Sequence, residues 1–183
     1  MAFTAPQTAV AAAPDYAVPG QLASLRSVQS SAVDTMLNEE ASAHIPFGRV
    51  VKKGTVEKRA KVPSAKTDQL CGITVFGHSY SRTPGAVELD NAGLAPGTHM
   101  SVLVCGEIYV MPEEDVAITD QVHARVITNV AKLPGMIGKT DDGVNTIDIS
   151  AFAQWKRAGG PTSGQCAVLW VDFSNAHLAV TDS

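Results

Sequence analysis

Residues 100–111 have the sequence MSVLVCGEIYVM, and this segment decides the fold. Its first half is apolar on both faces of a strand, whereas its second half alternates, with Ile108 and Val110 on one face. Gly106 separates the two halves. A glycine between two strand patterns favours a bulge or a sharp bend, as at a barrel corner. The segment therefore predicts two strong β-strands that meet at a bend.

Short apolar segments rich in β-branched residues continue this pattern on both sides. They are residues 49–53, 71–76, 122–128, 146–149, a run around Trp155, and 167–173. Turns containing Gly, Pro or Asp separate them, which is typical of a β-sandwich or β-barrel. The predicted fold class is therefore mainly β: a small β-barrel or sandwich-like domain with at most short helices.

The region before residue 45 has a different character. Pro6, Pro14 and Pro19 exclude a helix from the first twenty residues, and only Asp15 is charged there. Residues 30–41 (SSAVDTMLNEEA) are expected to be irregular with one or two helical turns capped by Ser31, because their apolar residues have helical spacing. We therefore predict an extended N-terminal arm over 1–45 and a β-rich domain over 46–183.

An extended apolar arm is suited to lie across another protein. The side chains expected to contact a partner are Phe3, Tyr16, Leu22, Leu25, Arg26, Met36 and Phe47. Such a segment becomes ordered on the surface of another protein, because it makes too few internal contacts to fold alone. The arm favours an assembly protein over an enzyme.

Composition excludes several classes of function. The net charge of −4 argues against a nucleic-acid partner, because binding to phosphates needs a basic face. The sequence contains no apolar run of the ~18 residues that span a bilayer, so no membrane partner is expected. Cys71, Cys105 and Cys166 lie in separate apolar runs, which predicts buried free thiols and synthesis in a reducing cytoplasm.

Charge is distributed unevenly along the chain. Residues 49–66 contain seven of the fourteen basic side chains, whereas residues 67–120 contain eight acids and one base, Arg82. These two segments either neutralise each other within the fold or simply face water, or they form a head-to-tail contact between identical subunits. The sequence leaves both alternatives open.

No motif predicts a catalytic, cofactor or metal site. Gly138-Lys139-Thr140 is similar to the end of a phosphate-binding loop, but Leu133 occupies the position where that loop requires its first glycine. The five histidines have no metal-binding spacing. The acidic run Glu113-Glu114-Asp115 follows Pro112 and is expected to be a solvated turn. We expect no enzyme activity.

The order of several short motifs resembles a known family. Residues 45–51 (IPFGRVV) lead into a basic strand and are followed by residues 71–76 (CGITVF), 100–110 and 120–125 (DQVHAR). This order is similar to that of the structural cement, or head decoration, proteins of tailed bacteriophages, over about residues 20–173.

The resemblance implies a structural protein on the exterior of the icosahedral head in the virion. Such a protein would bind the major capsid protein, bridge adjacent capsid subunits and associate with itself, as a homotrimer. Two alternatives remain: a surface-exposed β-sandwich module, for example one that binds carbohydrate, and an enzyme built from dispersed histidines and acids. The first would need aromatic platforms, and the second a deep pocket where histidines converge.

Overall fold

The structure, a computed structural model, describes residues 17–23, 32–77, 93–129 and 132–174. Within these residues the chain forms β-strands and a 3-10 turn at Gly143–Asn145, with no α-helix. The strands are β1 (Ala32–Asn38), β2 (Ile45–Pro46), β3 (Val50–Lys53), β4 (Arg59–Lys61), β5 (Leu70–Thr74), β6 (Gly93–Leu94), β7 (His99–Val110), β8 (His123–Arg125), β9 (Ile137–Gly138), β10 (Thr146–Asp148), β11 (Ala153–Arg157) and β12 (Ala167–Asp172). The mainly β class is confirmed. None of the described segments contains a helix of the length and hydropathy that a membrane crossing requires.

Five of these strands close into a barrel. They are hydrogen-bonded in the order β1, β4, β3, β5 and β7, and β7 returns to β1. The β1–β4 pair is parallel, whereas the other four pairs are antiparallel. Beyond the barrel, β7 pairs with β12 and β12 pairs with β11. Two small sheets, β10-β8-β9 and β2-β6, complete the body.

The strand β7 changes partners at Gly106. Residues up to Cys105 pair with β1, and residues from Cys105 onward pair with β12. Gly106 has φ of 137°, a conformation that side-chain-bearing residues rarely adopt. Gly106, where the sequence predicted a bulge or bend, is therefore the point at which β7 leaves the barrel. The two strands predicted on either side of Gly106 form one continuous strand of twelve residues.

Alternating side chains divide the core into two clusters. The first fills the barrel and includes Met36, Val51, Met100 and Val102. The second is larger and lies between the outer face of β3, β5 and β7 and the strands β8 to β12. Neighbouring residues on one strand serve different clusters: Val102 points into the barrel and Leu103 into the outer core.

The prediction of a short helix within residues 30–41 is wrong. Residues 32–38 form β1, which pairs with both β4 and β7. The spacing of Val33, Met36 and Leu37 fits a helix, but only Met36 of the three is buried. Pairing with strands distant in the sequence outweighs the local pattern here.

Part of the range assigned to the N-terminal arm lies on the body. Residues 17–23 and 32–45 pack against or belong to the β structure described above. Residues 1–16 and 24–31 lie outside the described residues.

Candidate interaction surfaces

Residues 20–23 lie along the edge of β7 opposite β12. The Gly20 amide donates to the Tyr109 carbonyl at 2.7 Å, and the Tyr109 amide donates to the Gln21 carbonyl at 2.8 Å. Leu22 forms an antiparallel bridge with Ile108, and its side chain packs against the larger core. These residues therefore add a short strand to the sheet, and we call them the arm base.

Gly20 fixes the arm base to the barrel. Its carbonyl accepts a hydrogen bond from the Phe76 amide at 2.8 Å, and its φ is 87°. A Cβ at this position would lie 2.8 Å from the Cβ of Phe47 and 2.9 Å from the nitrogen of Phe76. The Phe47 and Phe76 rings meet edge to face with centroids 5.1 Å apart. Only glycine fits at this contact.

Ala17, the first described residue, lies next to the outer sheet. The Cys166 thiol, immediately before β12, donates to the Ala17 carbonyl at 3.3 Å. The Arg157 guanidinium, at the end of β11, donates to the Cys166 carbonyl at 2.8 Å and lies 5.1 Å from the centroid of the Tyr109 ring. Residues preceding Ala17 therefore start from a defined point where β11 ends and β12 begins.

The predicted contact residues fall into three groups. Leu22 is half-buried in the arm base. Met36 and Phe47 belong to the barrel core, with 8% and 5% of their surface exposed, so their side chains stabilise the subunit. The remaining four, Phe3, Tyr16, Leu25 and Arg26, lie outside the described residues.

Glu113 does not lie in a solvated turn. Its carboxylate pairs with the guanidinium of Arg125, with Nη2 and Oε2 2.9 Å apart, and both side chains are almost fully buried. Arg125 also donates to Asp142 at 2.8 Å, and Lys132 lies 3.3 Å from Glu113. The three acids in a row suggested exposure, but a buried arginine twelve residues later supplies the countercharge.

The segment that is similar to a phosphate-binding loop, residues 138–140, binds the carboxylate of Glu114. The amides of Lys139 and Thr140 donate to its Oε1 at 3.1 and 2.9 Å, and the Thr140 hydroxyl donates to Oε2 at 2.9 Å. These hydrogen bonds lower the pKa of Glu114 although its partial burial opposes them. The anion held by these amides is a carboxylate of the protein itself.

Acids between residues 67 and 120 are mostly engaged within the subunit. Five of the six described there accept hydrogen bonds or ion pairs: Asp68, Glu113, Glu114, Asp115 and Asp120. The Lys52–Asp68 pair joins this segment to the basic one. Most of the acids described in this segment are therefore bound within the subunit and are not available to a second one.

A groove opens at one end of the barrel, between β1 and the hairpin that joins β3 to β4. Its cavity measures about 360 Å³. It is lined by Asp34, Met36 and residues 53–59. We call it the basic groove, because three of its five charged lining residues are cations: Lys53, Lys58 and Arg59. Sequence reasoning missed this site, although the density of lysine and arginine in residues 49–66 was its signal.

Histidines and cysteines do not assemble into a catalytic or metal site in the described part of the chain. His44 and His99 are exposed, whereas His123 is buried and neither of its ring nitrogens has a hydrogen-bond partner. No group of three or more His, Cys, Asp or Glu side chains among the described residues has a metal-binding arrangement. His78 and His177 lie outside those residues.

Two of the three cysteines are buried free thiols, as predicted. Cys71 and Cys166 are buried, and Cys105 is half-buried. Burial raises the pKa of Cys71 to about 12, so its thiol stays protonated in the barrel core. Burial also raises the pKa of Cys105.

A known protein family matches most of this chain, including the arm base and the barrel. A model of the family described as structural cement protein (E217 gp24/Pam3 gp6) matches residues 6–170. The chain belongs to this family. The resemblance seen in the sequence is therefore confirmed, and membership supports a structural role in stabilising a phage capsid, within the virion, rather than an enzymatic role.

A solved structure shares the fold. It is described as the capsid of Myoviridae Phage XM1, and one of its chains superposes with a TM-score of 0.59 at 14% sequence identity. The match covers 94% of this chain and 98% of that chain. At this identity the likeness concerns the fold alone. No curated protein matches the chain.

Proposed function

We propose that this cement protein binds the outer surface of a mature phage head, bridges adjacent major capsid subunits and stabilises the shell as a homotrimer. The observation that carries the proposal is the arm base. Residues 20–23 are hydrogen-bonded to β7, so the preceding residues start from a fixed point on a rigid body. Sixteen residues can extend roughly 50 Å from that point. This length reaches a neighbouring subunit.

The arm has the composition of a segment that orders on another protein. Pro6 and Pro14 favour extended backbone, which lowers the entropy lost when the arm binds. Phe3 and Tyr16 supply apolar surface, and Leu25 and Arg26 flank the arm base in sequence. A trimer would present three such arms together, and the raised effective concentration would slow its release. Because the protein binds only the assembled shell, it shifts the equilibrium toward that shell.

The carbohydrate-binding alternative has less support. Trp155 is 1% exposed, and its indole nitrogen donates to the Gln121 carbonyl at 3.2 Å, so it offers no platform. Trp170 is half-buried, with the Lys156 ammonium 5.9 Å from its ring centroid. One partly covered indole is a weak basis for stacking on sugars.

Deleting residues 2–16 tests the proposal. We expect attachment to expanded heads that lack this protein to weaken at least tenfold, with an unchanged melting temperature because the arm base is retained. A matched control replaces residues 2–16 with a Gly/Ser sequence of equal length, which keeps the length but removes the prolines and the apolar side chains. Equal attachment of the truncated and full chains would contradict the proposal.

A mass measurement tests the trimer separately. The mass of the purified protein in solution, and of the complex released from decorated heads, should be three times that of the 183-residue chain. A dimer in both measurements would reject this part of the proposal and leave attachment by the arm intact.

A further inference from the structure

We propose that the basic groove binds an acidic, extended polypeptide segment that carries an apolar side chain and is presented by the capsid shell. This inference rests on the proposed function and adds to it a second contact, distinct from the arm. The groove lies between β1 and residues 53–59, all of which are described residues.

The groove is preformed. The Leu37 amide donates to the Lys58 carbonyl at 2.8 Å, and the Gly54 amide donates to the Arg59 carbonyl at 2.8 Å. The Lys58 ammonium contacts both carboxylate oxygens of Asp34 at 2.8 Å. These bonds hold the hairpin against β1, so a ligand need not order the walls when it binds.

Two cations of the groove are only weakly neutralised among the described residues: the pKa of the nearby Glu39 carboxyl is lowered mainly by hydrogen bonds from Thr55, and least by the charge of Arg59. Lys53 is exposed and Arg59 is half-buried, and neither forms an ion pair within the described part of the chain. Lys58, by contrast, is paired with Asp34. Unpaired cations beside a cleft favour a ligand that brings carboxylates.

Two of the residues that line the groove, Met36 and Val56, are apolar. Met36 lies at the floor with 8% of its surface exposed, and its sulfur lies 3.9 Å from the Cys71 sulfur in the barrel core. Val56, with 55% of its surface exposed, lies on the rim. The cavity of about 360 Å³ accommodates a few side chains. An apolar side chain therefore fits above Met36 while flanking carboxylates reach Lys53 and Arg59.

The charges disfavour two other occupants. The lining also contains Asp34 and Glu57, which would repel the closely spaced phosphates of a nucleic acid. The acidic segment 67–120 of a second copy is a poor source of carboxylates, because five of the six acids described there are engaged internally. A carboxylate-bearing segment of the shell satisfies the charge and the apolar floor together.

Charge reversal in the groove tests this contact. We would measure binding of labelled full chain to heads lacking this protein, for the unchanged sequence, for K53E/R59E, and for the control K66E/K156E. Lys66 and Lys156 are exposed and lie outside the groove, so the control changes the net charge by the same amount. K53E/R59E should bind at least tenfold more weakly and the control within threefold of the unchanged chain. Higher salt should narrow the difference between the two variants.

Competition identifies the class of ligand. An excess of the peptide Glu-Leu-Glu-Glu-Leu-Glu should displace the unchanged chain from heads more readily than a Lys-Leu-Lys-Lys-Leu-Lys peptide or a single-stranded DNA oligonucleotide of equal length. Displacement by DNA at equal or lower concentration would overturn the polypeptide assignment. Equal loss of binding in both charge variants, or no loss in K53E/R59E, would overturn the site.

The outcomes separate this inference from the proposed function. Failure of the unchanged chain to bind heads would reject the proposed function and this inference with it. Binding of the unchanged chain together with full binding of K53E/R59E would reject only the groove. Unchanged melting temperatures of both variants would show that any loss arises from the surface, and K53A/R59A should give an intermediate loss.

Discussion

Leu22 and Ile108 form an antiparallel bridge at the edge of β7. This strand pairs with β1 and β5 in the barrel and with β12 in the outer sheet. A segment bound to β7 is therefore attached to the strand that connects both cores. Because several hydrogen bonds between residues 20–23 and β7 act together, a pull on the arm is shared among them.

Gly20→Ala should loosen the arm base. Its Cβ would lie 2.8 Å from the Cβ of Phe47, and φ of 87° is strained for alanine. We expect a loss of about 2–4 kcal/mol from the free energy of unfolding, the sum of ~1–2 kcal/mol of backbone strain and a similar amount from overpacking. Urea denaturation measures the stability, and binding to heads measures the attachment.

Gly97→Ala is the matched control for Gly20. Gly97 has φ of 72°, but a Cβ there meets nothing within 4 Å. The cost should therefore be limited to the backbone strain of about 1–2 kcal/mol, with attachment to heads unchanged. Equal losses for the two variants would show that the contact with Phe47 and Phe76 does not require glycine.

Removing Arg125 should destabilise the body. Arg125→Met leaves Glu113 buried without its guanidinium, which costs about 3–5 kcal/mol. Asp34→Asn, which breaks the exposed pair with Lys58, should cost much less, because solvent screens this pair. In the double variant R125M/E113L the loss should be smaller than in R125M, since no buried charge remains unpaired. A larger loss in the double variant would mean that packing rather than charge governs the site.

The strands that the sequence predicted well are those with a local signature. Ile108 and Val110 are both fully buried, as their alternation in β7 predicts, because one face of a paired strand must leave water. β1 has no such alternation: its burial depends on β4 and β7, which lie more than twenty residues away. Closure of a barrel is a property of long-range pairing and leaves no local pattern.

The interaction surface was predicted less well for a similar reason. Met36 and Phe47 were assigned to an interface because they are apolar side chains in or next to the range of the N-terminal arm, yet both fill the barrel. Glu113 was expected in water, because a sequence does not show that Arg125 lies beside it. Lys53, Lys58 and Arg59 could be recognised in the sequence as part of the basic segment 49–66. The groove, however, also needs β1 as its second wall.

Acid should weaken the small sheet formed by β8, β9 and β10. Hydrogen bonds from Arg125 and then Asn129 lower the pKa of Asp142 from 3.8 to about 2. Since the folded-state pKa lies below the ordinary value, this contribution to stability is fully present above about pH 4 and is lost as the pH falls toward 2. Urea midpoints measured between pH 5 and pH 2 should fall more steeply for the unchanged chain than for Asp142→Asn. Parallel curves would rule out a titrating role for Asp142.

His123→Leu should leave the stability unchanged or raise it. His123 is 4% exposed and neither ring nitrogen has a hydrogen-bond partner among the described residues, so no hydrogen bond found there offsets the desolvation of the imidazole, although Asp148 is its cross-strand neighbour. Asn38→Leu is the contrasting variant, because Asn38 is 1% exposed, donates to the Leu94 carbonyl at 2.7 Å and accepts from the Glu40 amide at 2.9 Å. Its loss should be about 2–3 kcal/mol, since two polar groups lose their partner. Urea denaturation with an unchanged m-value compares the two, and a loss in H123L equal to that in N38L would show that the imidazole is bonded after all.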